Sequence, residues 1–147
     1  MSFEVVQLTQ VTPALVDAFA RLMPQLIPGG VAPGTAELEE IARGPGTQLL
    51  AAVEGGSHLG VVTLVVFRIP SGKRARIESL VVDAGARGRG VGRALCQAAM
   101  DRARAMGADC VDLTSLPARE AANRLYASLG FKLRPTNAYR HRFAGAG

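Results

Sequence analysis

Arg87, Gly88, Arg89, Gly90, Val91, Gly92 and Arg93 follow one another directly ahead of a segment with helical periodicity. Glycine lets a backbone turn successive N–H groups toward one point. A helix N-terminus adds partial positive charge there, and each arginine adds a full one. That chemistry suits an anion, and a pyrophosphate is the natural occupant. A Walker loop is excluded, because no Gly-Lys-Ser/Thr occurs in the chain. The dinucleotide fingerprint G-x-G-x-x-G begins at Gly88 and Gly90 but meets Arg93 where its third glycine belongs. It would also sit after the first strand of its domain. A third pattern, R/Q-x-x-G-x-G/A behind an antiparallel meander, is met by Arg87, Gly90 and Gly92. A glycine-rich turn that binds nothing is the alternative.

The segment IESLVVDAGARGRGVGRAL (77–95), with AANRLYASLGF at 121–131, resembles the GNAT superfamily of acyl-CoA-dependent N-acyltransferases. The coupling of the glycine loop to Leu125-Tyr126-x-x-x-Gly130-Phe131 carries the resemblance. It implies acetyl-CoA (coenzyme A) as cofactor, a primary amine on a small molecule or peptide as acceptor, and direct transfer in a ternary complex. Leu80, Val81 and Val82 sit where the family's central strand pairs with the pantetheine arm through backbone groups. An amide there would polarise the thioester carbonyl and stabilise the tetrahedral oxyanion. Arg87, Gly88, Arg89, Gly90, Val91 and Gly92, with Arg93 behind them, correspond to the pyrophosphate loop.

Tyr126 falls on the tyrosine that protonates the departing CoA thiolate in the family, a general-acid role open to a phenol. Spacing by itself reads it as a core aromatic on the stripe Ala121, Ala122, Leu125, Leu129. Many relatives carry an asparagine seven residues before that tyrosine; here the position is Arg119, and Asn123 is the candidate for the replacement contact. Glu78 is the candidate base that takes the proton of the attacking ammonium, directly or through water. It reads equally as a strand carboxylate paired with Arg74 or Arg76. N-terminal acetyltransferases of ribosomal proteins resemble the chain in motif order but carry a glutamate where Thr114 stands, which argues against that substrate.

The elements that must hold these residues follow from the patterning. Phe3 to Leu8 alternates as a strand, and Thr12-Pro13 opens a helix with Thr as N-cap. Thr35 is expected to cap a second, short helix. Strands at 47–54 and 59–68 are joined by Gly55-Gly56-Ser57, and a third runs from Arg74 to Asp83. A helix over 90–106 and a strand over 109–115 complete a right-handed parallel crossover from Ile77. A second helix, 118–129, stops at Gly130, and strands at 131–134 and 137–143 are expected to close the chain. The fold class is α/β: a mixed antiparallel/parallel sheet with helices on both faces, in one GNAT-like domain over 1–147.

With 147 residues, 48% of them hydrophobic, the chain is long enough for a real core. The net charge of +5 rests on fifteen arginines and two lysines against twelve acids, which suits phosphate-rich ligands or reflects a compositional bias. Cys96 and Cys110 have no C-x-x-C spacing, and His58 and His141 stand far apart, so no metal site is expected and both thiols read as buried and free. No signal-like start or span-length apolar run appears, and a cytoplasmic location is expected. Low aromatic content, 5%, with no basic aromatic stretch, speaks against nucleic acid as partner. The two functions left are an N-acetyltransferase and a catalytically silent acyl-CoA sensor, and Tyr126 favours the enzyme. A homodimer through the last strand is expected.

Overall fold

Residues 2–145 are described by the computed structural model, so the ends of the expected domain, Met1 and 146–147, lie outside the described residues. The chain divides into two compact units, Met1–Thr114 and Ser115–Gly147. The first carries β1 (Glu4–Gln7), α1 (Pro13–Leu26), α2 (Thr35–Arg43), β2 (Thr47–Glu54), β3 (Ser57–Ile69), β4 (Gly72–Val82), α3 (Val91–Ala105) and β5 (Cys110–Asp112). Its sheet has the order β1-β2-β3-β4-β5, antiparallel through β4 and parallel between β4 and β5.

Local chemistry explains most boundaries. Thr12 is the N-cap of α1, its Oγ1 accepting from the Leu15 amide at 3.2 Å, with Pro13 as the first helical residue. Gly34, not Thr35, precedes α2; Thr35 is already helical, and the Glu37 carboxylate accepts from the Gly34 amide at 2.6 Å. The Glu37 carboxylate thus supplies one half of a capping box, meeting the amide ahead of the helix, while glycine has no side chain to supply the other half. Gly55 and Gly56 have φ of 54° and 82°, so β2 and β3 are joined by a two-residue turn whose twist matches the strands.

The helices cover both faces of the sheet. Leu15, Phe19 and Leu22 of α1 and Leu38 of α2 pack with Leu49, Ala51, Val61 and Val81. Leu50, Ala52, Val62 and Leu64 are equally buried and alternate onto the other face, where α3 brings Val91, Leu95, Cys96 and Ala99. Gly60 lets α3 approach: a Cβ there would lie 2.8 Å from the Val81 carbonyl oxygen and 3.1–3.2 Å from Leu95 and Val91.

The second unit holds α4 (Glu120–Ser128), which ends ahead of Gly130 at φ 95°, with the Phe131 amide returning to the Tyr126 carbonyl at 3.0 Å. That is the left-handed stop expected of glycine. The strands expected at 131–134 and 137–143 do not form. A strand exists through its ladder, and Pro135 offers no N–H to one. Leu133, Tyr139 and Phe143 are exposed there. The dimer expected through a terminal strand loses that basis.

Two tests follow from this packing. Gly60→Ala should overpack the β3–α3 contact by about 1–3 kcal/mol, lowering Tm by roughly 3–10 °C in a calorimetric scan. The second concerns His58, whose pKa is pushed below its ordinary 6.5 by burial first and by the Arg21 charge second. The unfolded chain therefore takes up this proton more readily, and stability should fall as pH drops below 6.5. Denaturant titrations of His58→Gln should show a flatter slope across that window; an unchanged slope would assign the effect elsewhere.

Candidate functional site

β4 is the element on which the site is built. It pairs with β5 only at Arg74, Ala75 and Arg76, which face Cys110, Val111 and Asp112. From Ile77 to Val82 no strand lies along its β5 side, among the described residues. The β3 side is interrupted too: Thr63 faces Glu78 and Val61 faces Val81, so Ser79 and Leu80 together oppose Val62. Ser79 takes φ 52°, an uncommon value for a side-chain-bearing residue. This is a bulge, a device that re-aims a strand locally and recurs beside ligand sites. The expected backbone-pairing residues Leu80, Val81 and Val82 thus stand on a free strand edge, directly after the bulge.

The glycine loop continues from that edge. Asp83 leads into a single 3-10 turn at Ala84–Ala86, and Gly88 and Gly90 follow at φ 78° and 80°. Space is open around both, so glycine is required there by backbone conformation rather than by crowding. Among the described residues, the amides of Gly88, Arg89 and Gly90 make no backbone hydrogen bond. Gly90 is the N-cap of α3, so the first helical N–H groups begin at Val91 and Gly92. A run of amides and a positive helix end therefore converge after β4, an anion-receiving arrangement. Arg87 and Arg93 are exposed beside it.

Arg89 is held differently. Its Nη1 and Nη2 donate to Oε1 and Oε2 of Glu54, at 3.2 and 2.5 Å, and Glu54 also accepts from the Ser2 hydroxyl. The Arg89 bond, with the Ser2 bond second, holds the Glu54 carboxyl well down, at about 2.

The remaining candidates are spread over both units. Glu78 is ion-paired with Arg76, Oε2 to Nε at 2.9 Å, as one of its two readings anticipated. Facing Thr63, it lies on the side of the sheet that carries Val61, Val81 and α1. In the second unit Tyr126 is buried, its ring edge-on to Phe131 with centroids 5.9 Å apart. Asn123 donates from Nδ2 to the carbonyls of Leu116 and Pro117 at 3.0 and 3.4 Å, bracing the turn ahead of α4. Of the two thiols, Cys96 is buried and its pKa is pushed up to about 11 by desolvation, whereas Cys110, expected to be buried, is exposed on the short β5. Among the described residues no cluster of metal-ligating side chains occurs.

Sequence reasoning missed the residues that brace the loop. Arg21 and Gln25, one turn apart on α1, both reach Asp83: Nε to Oδ2 at 3.6 Å and Nε2 to Oδ1 at 2.9 Å. Gln25 also accepts from the Ala84 amide at 2.8 Å. The i, i+4 recurrence of Asp17, Arg21 and Gln25 on an otherwise apolar helix was the available signal. A cavity of about 480 Å³ opens between α1, the hairpin and the loop, lined by Asp17, Arg21, His58, Asp83 and Arg89. Both of its arginines already have acidic partners, so it is no phosphate socket.

Residues 15–131 match the acetyltransferase (GNAT) family profile. No curated protein matches the chain. The fold is similar to an aminoglycoside acetyltransferase from an uncultured soil metagenomic sample, at TM-score 0.82 and 16% identity over 96% of this chain and 95% of that one. A transcriptional regulator from Bacillus halodurans gives TM-score 0.82 at 22% identity, over 95% and 100% of the two chains. The acetyltransferase AAC(6′)-Iy, solved with a CoA bisubstrate analogue, gives 0.77 at 21%, over 97% and 100%. At these identities the likeness is one of fold. The profile match spans most of the chain, and the chain belongs to the acetyltransferase (GNAT) family.

Proposed function

We propose that this acetyltransferase transfers the acetyl group of acetyl-CoA to the primary amine of a small molecule or peptide, directly, in a ternary complex. One observation supports the reading above others: the unpaired edge of β4 from Ile77 to Val82 runs straight into free loop amides at the head of α3. An extended amide-bearing arm can lie along such an edge as an added strand, with a diphosphate taken by the amides beyond it. Pantetheine and pyrophosphate have those shapes and that order. The AAC(6′)-Iy complex with a CoA bisubstrate analogue is in keeping with this.

In this reading Leu80, Val81 and Val82 hold the pantetheine arm through their backbone. The N–H groups of Gly88, Arg89, Gly90, Val91 and Gly92 take the pyrophosphate, and Arg87 and Arg93 add charge. Asn123 acts by bracing the turn before α4, consistent with its bonds to Leu116 and Pro117. Glu78 removes the proton of the attacking ammonium, directly or through water. The free amine then adds to the thioester carbonyl, and the tetrahedral intermediate collapses with loss of the thiolate. Tyr126 supplies the proton that the thiolate takes up, and the proton that the amine nitrogen sheds on becoming an amide restores the phenol, giving CoA and the N-acetyl amine.

Partners in this reading are the amine acceptor and neither nucleic acid nor membrane; no helix among the described residues is long and apolar enough to span a bilayer. The location is cytoplasmic. The other reading, a silent acyl-CoA sensor, shares the cofactor cleft and differs only in turnover.

Two experiments decide these points. Excess acetyl-CoA should raise Tm by mass action, and Gly90→Val, forced to hold φ near 80°, should lose the shift while still folding. No shift in well-folded wild-type protein would refute the cofactor assignment. On a substrate found by screening CoA release across polyamines, aminoglycosides, amino acids and peptides, Tyr126→Phe should lower kcat about a hundredfold to ten-thousandfold, with little change in acetyl-CoA affinity. Glu78→Gln should flatten the acidic limb of the pH–rate profile. Unchanged turnover in Tyr126→Phe would move the general acid elsewhere.

A further inference from the structure

We infer that Glu54, at the end of β2, is a positioning residue for the cofactor loop: by gripping Arg89 it holds the amides of residues 88–92 in their anion-receiving shape. The Arg89 side chain is thereby a fastening and not a phosphate ligand. The inference rests on reading that loop as the CoA pyrophosphate site.

Three features of the structure carry it. The loop has little of its own to hold it. The Ala86 amide returns to the Asp83 carbonyl at 2.8 Å and the Arg87 amide to Ala84 only at 3.5 Å, after which the amides of Gly88, Arg89 and Gly90 have no backbone acceptor among the described residues. Two glycines in such a stretch have much conformational freedom to lose when an anion is bound. Something outside the loop must therefore narrow that freedom in advance.

Glu54 is suited to do so because its mounting is rigid. It is the last residue of β2, registered against Ser57 across a two-residue turn, so its carboxylate is fixed by the sheet. The contact is a fork on a fork, two guanidinium nitrogens on two carboxylate oxygens. Exposed ion pairs as a class contribute little, but bidentate pairs with both partners half-buried are the exception. At 34% and 30% side-chain exposure, Arg89 and Glu54 are partly shielded from solvent. The carboxyl, held at about 2, stays ionised at any ordinary pH.

The third feature is charge. Glu54 cancels Arg89 almost at contact, which leaves the amides and the exposed Arg87 to attract phosphate. The two roles open to Arg89 then predict opposite signs. If Arg89 were a phosphate ligand, Glu54→Gln would release it, add one positive charge to the site and tighten CoA binding. If Arg89 is a fastening, the same change loosens the loop and weakens binding.

The test measures CoA affinity by calorimetry, steady-state kinetics with acetyl-CoA, and backbone amide order parameters of the ligand-free protein by NMR relaxation. In Glu54→Gln, the dissociation constant for CoA and the KM for acetyl-CoA should rise roughly three- to tenfold, while kcat and the amine KM hold. Order parameters at residues 88–90 should fall with Tm unchanged. Arg89→Lys, which keeps the charge but loses the fork, should behave the same way, and the exchanged pair Glu54→Arg with Arg89→Glu should restore the order parameters. If Glu54→Gln fails to fold, Glu54→Asp gives the same readings in reduced degree. Unchanged or tightened CoA binding, or unchanged order parameters, overturns the inference. If the wild-type protein binds no CoA, the proposed function falls, and the order parameters of the ligand-free protein still judge the fastening separately.

Discussion

β4 has to satisfy a sheet on one side and leave its backbone available on the other. A buried strand normally pairs along both edges, because an unmet N–H or carbonyl costs free energy when water is excluded. Here β5 accompanies β4 for three residues and then ends, so the second half of β4 keeps an edge of its own. The bulge at Ser79–Leu80 sits at the start of that half. The other elements of the first unit serve this arrangement. α1, α2 and α3 bury the faces of the sheet so that one of its inner edges can remain open.

Beyond the open edge, the problem reverses. Glycines at 88 and 90 permit the left-handed turns that free the loop amides, yet the same permissiveness works against a defined shape. The structure answers with contacts from distant segments. α1 reaches Asp83 through Arg21 and Gln25, and the β2–β3 hairpin reaches Arg89 through Glu54. Entry and middle of the loop are thus tied to rigid elements on either side. Arg89 is accordingly spent within the protein, while Arg87 is exposed at the loop.

Much of this was legible from residues in order along the chain. Alternation located β1 to β4, and proline after threonine located the start of α1. The glycine–arginine run between a strand and a helix located the loop, since those conformational demands are local. The misreadings share a cause. Thr35 has the chemistry of a cap, but the chain turns one residue earlier because Glu37 folds back onto Gly34. Cys110 has the residue type most often found buried, yet a three-residue edge strand leaves it exposed. Residues 131–143 contain strand-forming side chains, but propensity cannot supply a ladder partner, and Pro135 withholds a donor.

The amino-acid sequence is enough for the local facts: which segments turn, which are periodic, where a backbone can present amides to an anion, and the family those motifs belong to. These depend on backbone sterics and hydrophobic period, both properties of neighbouring residues. Where β5 stops against β4, and the grip of Glu54 on Arg89 across thirty-five positions, arise only in the folded chain. Those pairings depend on strand register and on charges brought together from far along the chain. Neither has a local signature, because a carboxylate selects its partner by proximity in space, and that proximity exists only once the sheet has formed.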